Sequence, residues 1–253
     1  MLTPIVLQHG LFGFDEIRIG KLRYGYFNGI DRAIEARGHP LVISKVHPTS
    51  SIEMRAKQLK ETIDQRLSGY VGKVVILAHS MGGLDARYMI SKLGMDDRVS
   101  ALVTISTPHR GSPYADWCLK NLGQKLGGLK IAEFLGLNIQ AMNDLTTDSC
   151  ARFNEKIADV RGVRYFSISA ARHWHLIPPW LLHAHKVVYD AEGDNDGVVS
   201  VKSATWGEHL ETWAADHLHA INRRLMIEIK NPTGDITPKY LAVLDRLSGE
   251  GLC

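Results

Sequence analysis

Cysteine is nearly missing from this 253-residue chain: Cys118, Cys150 and Cys253 are scattered and odd in number. That excludes the disulfide framework that staples small secreted domains. No apolar run approaches the roughly 20 residues needed to cross a bilayer as a helix. Stretches such as Val74–Ala78 and Ala101–Ile105 have the length of strands instead. Neither sign of charge dominates. The net charge is only +3, so nothing marks nucleic acid or an anionic membrane as a partner. Repeats and low-complexity linkers are absent as well. Met1-Leu2-Thr3-Pro4 runs directly into Ile5-Val6-Leu7, without a basic region, apolar segment and cleavage site. Together with the scarce cysteine, this leads us to expect a cytoplasmic protein, the alternative being a secreted one whose leader is already removed.

What is present is the composition of a globular enzyme, with 45% apolar and 23% charged residues. The length suits one large α/β domain over residues 1–253 better than two separate cores. Strand-like runs at Ile5–Gln8, Leu41–Val46, Val74–Ala78 and Ala101–Ser106 alternate with helical patterns at Asn28–Arg37, Ser51–Leu67 and Leu84–Leu93. Ser50 and Glu53 have the spacing of a capping box at the start of the second helix. Such alternation predicts βαβ units and a mostly parallel sheet covered by helices on both faces. Residues 113–156 break the rhythm with glycine-interrupted amphipathic pieces, among them Leu129–Leu137, which predicts a helical insertion. Strands are expected again at Val163–Ser169 and around Lys186–Tyr189, then a closing helix over Thr237–Leu247.

Val74-Val75-Ile76-Leu77-Ala78-His79-Ser80-Met81-Gly82-Gly83 carries the strongest chemical signal. A hydrophobic strand enters a small-x-Ser-x-Gly turn and a helix follows at once. A serine hydroxyl is a weak nucleophile until geometry and a base activate it. The turn lifts its oxygen above the strand ends, and the small residues two positions away, Ala78 and Gly82, avoid clashes. The N-terminus of the next helix then faces the place where negative charge develops. Ser80 as a mere helix cap would not require this order of strand, turn and helix. His9-Gly10-Leu11-Phe12-Gly13 follows the first strand, and its glycines let backbone amides approach an oxyanion closely. The expected donors are the amides of Leu11 and Met81.

An acid and a histidine must follow the serine in the chain. Glu192-Gly193-Asp194-Asn195-Asp196-Gly197 offers Asp194 and Asp196 in a turn. The same alternation of acids resembles a calcium loop, but an EF-hand would need a glutamate where Ser203 stands. Asp216-His217-Leu218-His219 offers two histidines, His217 and His219, before an expected helix over Leu218–Ile229. Residue chemistry alone separates neither pair.

At this point the chain resembles a known family, the true bacterial lipases of the Pseudomonas and Burkholderia type within the α/β hydrolases. The likeness runs through Pro4–Asp15, His79-Ser80-Met81-Gly82-Gly83 and Thr107-Pro108-His109-Arg110-Gly111-Ser112. It continues through Ala151-Arg152-Phe153-Asn154, Asn195-Asp196-Gly197-Val198-Val199 and His217-Leu218. The resemblance implies the α/β-hydrolase fold, a triad of Ser80, Asp196 and His217, and a lid formed by the insertion at 113–156. Departures accompany it. His219 stands where the family has a calcium-holding aspartate, Trp174–His185 lacks the second calcium carboxylate, and no cysteines near Val201–Ala204 match the family's disulfide.

His173-Trp174-His175 through His183-Ala184-His185 concentrates histidine, yet no carboxylate or cysteine cluster supports a metal site. Trp174, Trp180 and Leu181, with Phe12, are the candidate walls of an acyl pocket. The sequence thus predicts ester hydrolysis through an acyl-enzyme, with triacylglycerol the first substrate, at a lipid–water interface. A short-chain esterase, thioesterase or acyltransferase is the enzymatic alternative, and a non-catalytic lipid-binding protein the alternative of another class. No cofactor or metal is expected.

Overall fold

A computed structural model describes residues 2–11, 13, 16–19, 22–124, 139–223 and 234–253. Six strands form a sheet: β1 (Ile5–Gln8), β4 (Leu41–Ile43), β5 (Val74–His79), β6 (Val99–Ile105), β7 (Arg164–Ala170) and β8 (Glu208–Trp213). Their order is β4-β1-β5-β6-β7-β8 and every pairing is parallel. β2 (Glu16–Ile19) and β3 (Leu22–Gly25) form a separate antiparallel pair.

β1 and β5 are buried throughout, as expected of parallel strands covered on both faces. Alternate residues divide between two cores. Ile5, Leu7, Val75, Leu77 and Val103 face α1 (Ile30–Ala36) and α9 (Thr237–Gly249), where Ile34, Tyr240 and Leu247 are buried. Val6, Ile76, Ala78 and Leu102 face α2 (Ile52–Arg66) and α3 (Met81–Lys92), packing on Leu59, Ile63, Met89 and Ile90. The C-terminal ends of the strands therefore open on one edge, where α/β folds carry their sites.

The insertion is helical where it is described: α4 (Pro113–Gln124), α5 (Ile139–Asp144) and α6 (Thr147–Lys156). The expected piece at Leu129–Leu137 lies outside the described residues. Two further helices follow, α7 (Leu182–Glu192) and α8 (Val201–Ala204). No helix among the described residues is long and apolar enough to cross a membrane.

Three expectations need correction. Lys186–Tyr189 is not a strand but part of α7, where Lys186 pairs with Asp190 one turn on. The last strand is instead Glu208–Trp213, at the sheet edge. The α2 cap is Ser51, whose hydroxyl accepts from Met54 N, rather than Ser50. The helix expected from Leu218 is a single 3-10 turn at His219–Ile221, ended by Asn222 in a left-handed conformation (φ 59°). Its expected continuation falls on undescribed residues.

Candidate active site

Ser80 lies between the end of β5 and the first turn of α3, with φ 55° and ψ −134°. A non-glycine residue with positive φ stores strain that only firm surroundings sustain. Here Ser80 N donates to Ile105 O (2.9 Å), and its carbonyl accepts from Gly83 N (3.0 Å) and Thr107 Oγ1 (2.7 Å). The turn leaves no room for side chains beside it. A Cβ on Gly82 would stand 2.8 Å from the carbonyl oxygens of Gln8 and His9, and one on Gly10 2.7 Å from Ser80 Cβ.

His217 follows β8, and its Nε2 lies 3.0 Å from Ser80 Oγ. Its Nδ1 lies 2.7 Å from Asp196 Oδ2. Asp196 is fully buried, and its other oxygen accepts from Val198 N (3.0 Å) and Val199 N (2.8 Å). The main chains are joined as well, His217 N donating to Asp196 O (2.8 Å). The Asp196 turn follows helix α7 rather than the strand expected before it. Asp194 is directed elsewhere, lining a cleft of about 640 Å³ with Arg172, Trp174, Leu182, His185 and Tyr189.

The Thr107–Ser112 segment braces both sides of this arrangement. Thr107 holds the Ser80 carbonyl, whereas Ser112 Oγ donates to Val198 O (2.6 Å) beside Asp196. Ser203 Oγ donates to Gly111 O (2.6 Å) and accepts from Arg110 N (3.1 Å).

Leu11 lies in a turn closed by Gly13 N donating to Gly10 O (3.2 Å). Behind it is a buried network that the sequence reading missed. Arg55 of α2 donates from Nη2 to His9 O (2.6 Å) and Gly10 O (3.3 Å), and from Nη1 to His47 O (2.8 Å). Its Nε lies 2.9 Å from Asp85 Oδ2 on α3, an oxygen that also accepts from Gln8 Nε2 (2.7 Å). Burial pushes the Asp85 carboxyl up to about 6, against the pull of Arg55 and Gln8. A charged residue on the apolar spacing of α2 was the only local sign of this network.

Tyr26 and His79 were missed too. The Tyr26 hydroxyl accepts from Gly10 N (3.2 Å) and lies 2.8 Å from His79 Nδ1, while His79 Nε2 lies 3.1 Å from the His217 carbonyl.

Of the four expected pocket residues, Trp174, Trp180 and Leu181 are described. Leu181 packs toward Gly197, next to Asp196, but Trp174 and Trp180 are exposed. Phe12 lies outside the described residues. The His173 and His175 rings approach to 4.3 Å, but no three His, Cys, Asp or Glu side chains converge as a metal site among the described residues.

The family's calcium does not suit the side chains found near His219. Asp216 Oδ2 is bound by Arg172 Nη1 (2.7 Å), and Oδ1 accepts from the amides of Leu218 and His219 (both 3.0 Å). His219 places Nδ1 3.3 Å from Arg172 Nη2 and Nε2 3.0 Å from Gly234 O. A guanidinium and an imidazole are poor company for a hard, oxygen-seeking cation. Arg223, expected one turn along a helix, instead donates to Gly25 O (3.0 Å) and Tyr26 O (3.2 Å).

Residues 48–226 match the family described as PGAP1-like alpha/beta domain. Triacylglycerol lipase 2 of Saccharomyces cerevisiae is 33% identical, over 98% of this chain and 92% of the yeast protein. The triacylglycerol lipase of Vibrio cholerae is 28% identical, over 98% of this chain and 88% of its own. Among solved structures, a metagenomic carboxyl esterase has a TM-score of 0.79 at 20% identity, covering 99% of this chain and 76% of that one. The Staphylococcus hyicus lipase gives 0.74 at 16% identity, with 97% and 95% covered. These structures share the fold.

Proposed function

The chain belongs to the PGAP1-like alpha/beta-domain family, within the lipases of the α/β-hydrolase superfamily, and from that premise we propose that it cleaves carboxylic esters through an acyl-enzyme on Ser80. The observation that carries the reading is the contact series from Ser80 Oγ to His217 Nε2 and from His217 Nδ1 to Asp196 Oδ2.

In this mechanism His217 Nε2 takes the hydroxyl proton as Ser80 Oγ attacks the ester carbonyl. The tetrahedral oxyanion is met by the amides of Leu11 and Met81, at the start of α3. Asp196, held by two amides of its own turn, stabilises the imidazolium. His217 then gives its proton to the departing alcohol, leaving an acyl group on Ser80. Water enters, loses a proton to His217 and releases the acid. No metal is needed in these steps.

The first substrate is a triacylglycerol, because the yeast and Vibrio cholerae relatives are triacylglycerol lipases. The helical insertion at 113–156 is the cap over the acyl site in this reading. The test combines fluorophosphonate labelling with hydrolysis of an ester series from short to long acyl chains, with and without an emulsion. Labelling confined to Ser80, with turnover of emulsified long-chain esters, is the expected result. Turnover of short soluble esters alone would move the reading to an esterase. Absence of labelling and turnover would move it to a lipid-binding protein.

A further inference from the structure

We propose that Tyr26 and His79 are positioning residues, which join the loop carrying the Leu11 amide to the loop carrying His217 by a hydrogen-bond chain of fixed polarity. The inference rests on the roles assigned above to Ser80, His217 and Leu11.

The polarity follows from His79, the buried residue directly before the nucleophile. Its Nε2 faces the His217 carbonyl at 3.1 Å. A carbonyl only accepts, so Nε2 carries a proton. Burial, and then the neighbouring His217, holds the His79 ring well below the usual histidine range, so the ring is neutral. Its Nδ1 therefore accepts, and the Tyr26 hydroxyl, 2.8 Å away, donates. The same hydroxyl oxygen receives the Gly10 N–H at 3.2 Å. Burial pushes the Tyr26 hydroxyl up to about 12, which keeps its proton in place throughout any neutral assay. The donors thus run in one direction from Gly10 N–H through Tyr26 and His79 to the His217 carbonyl.

Two placements depend on this chain. The Gly10 amide is committed to Tyr26, so the oxyanion donor of that loop is the next one, Leu11. The peptide plane between them is held at its carbonyl by Arg55 Nη2 (3.3 Å), and the Leu11 N–H is the far side of the same rigid plane. His217 is gripped by its main chain at both ends, its N–H on Asp196 O (2.8 Å) and its C=O on His79. The His79 ring also packs against the His217 ring, centroids 4.6 Å apart. Tyr26 and His79 are almost wholly buried, so they act through these neighbours rather than by touching substrate. A base or oxyanion donor misplaced by about 1 Å costs on the order of 100-fold in rate.

The test uses the full chain with a soluble ester. Wild type must first label at Ser80 with a fluorophosphonate. A wild type that neither labels nor turns over would overturn the ester reading itself, and this proposal with it. Tyr26→Phe keeps the ring and removes the hydroxyl. Its kcat and fluorophosphonate inactivation rate should fall together by about 10- to 100-fold, with KM within about twofold. His79→Gln retains an N–H for the His217 carbonyl and should keep more activity than His79→Ala. Tyr26→Phe combined with His79→Ala should lose little beyond His79→Ala alone, because both cut one chain. In a labelled, active enzyme, Tyr26→Phe turnover within twofold of wild type would overturn the chain. So would losses that multiply in the double variant. If Tyr26→Phe does not fold, equal losses in His79→Gln and His79→Ala overturn it.

Discussion

Arg55 and Asp85 meet with Nη2 and Oδ2 2.8 Å apart, and neither side chain reaches solvent. The pair ties α2 to the helix behind Ser80, and the same guanidinium holds the His9 and Gly10 carbonyls. Removing one partner of such a pair leaves the other charge buried alone. Arg55→Met should therefore cost about 3–5 kcal/mol of stability, measured as a loss of unfolding free energy in urea.

Replacing Ser80 with alanine should lower kcat by a factor on the order of 10⁶ and abolish fluorophosphonate labelling. The far-UV spectrum should not change, because the main-chain bonds that brace the turn remain. Near-normal turnover in this variant would rule Ser80 out as the nucleophile.

Asp196→Asn tests the acid through its hydrogen bonds. The amide oxygen will take the place facing Val198 N and Val199 N, which turns the NH₂ toward His217. Nδ1 must then accept, and the proton moves to Nε2, where it blocks the base facing Ser80. The expected loss in kcat is on the order of 10⁴. Asp194→Asn, whose side chain lines a separate cleft, should retain most activity. Equal damage from the two substitutions would show that the acid has been misassigned.

Alkaline stability should carry the signature of Tyr26. Its hydroxyl is raised from 10.0 to about 12 by burial, so folding favours the protonated form. This contribution is complete below pH 10 and is lost as pH rises towards 12, where the unfolded chain alone ionises. A two-unit shift corresponds to about 3 kcal/mol. The thermal midpoint of Tyr26→Phe should decline less steeply over that window than wild type. Tyr240, also buried and raised, will keep part of the decline in both proteins.

Calcium should have no effect on this enzyme. Asp216 already answers to Arg172 and to two amides, and His219 bonds the Gly234 carbonyl. Excess EDTA, followed by calcium, should leave the thermal midpoint and ester turnover unchanged. A midpoint that falls with EDTA and recovers with calcium alone would contradict this.

The turn around Ser80 was legible because it is local: a buried strand, Ala78 and Gly82 around Ser80, and a helix lie within a few consecutive residues. β8 was not legible. As an edge strand it carries Glu208, His209 and Glu211, whereas the β-branched Val187 and Val188 imitate a strand inside α7. Resemblance, not residue chemistry, separated Asp196 from Asp194 and His217 from His219. In the fold Asp196 and His217 meet at 2.7 Å, whereas His219 turns to Arg172 and Gly234.

Hydrophobic periodicity and turn chemistry act between near neighbours, so the parallel α/β architecture and the strand–turn–helix around Ser80 are written locally in the chain. What surrounds that turn is set by contacts between residues far apart in sequence. Arg55 reaches Asp85 across 30 residues, Tyr26 reaches His79 across 53, and His217 reaches Ser80 across 137. These polar side chains carry no periodic signal in the chain, and their partners are set by the packing of α2, α3 and the strand ends into one buried space.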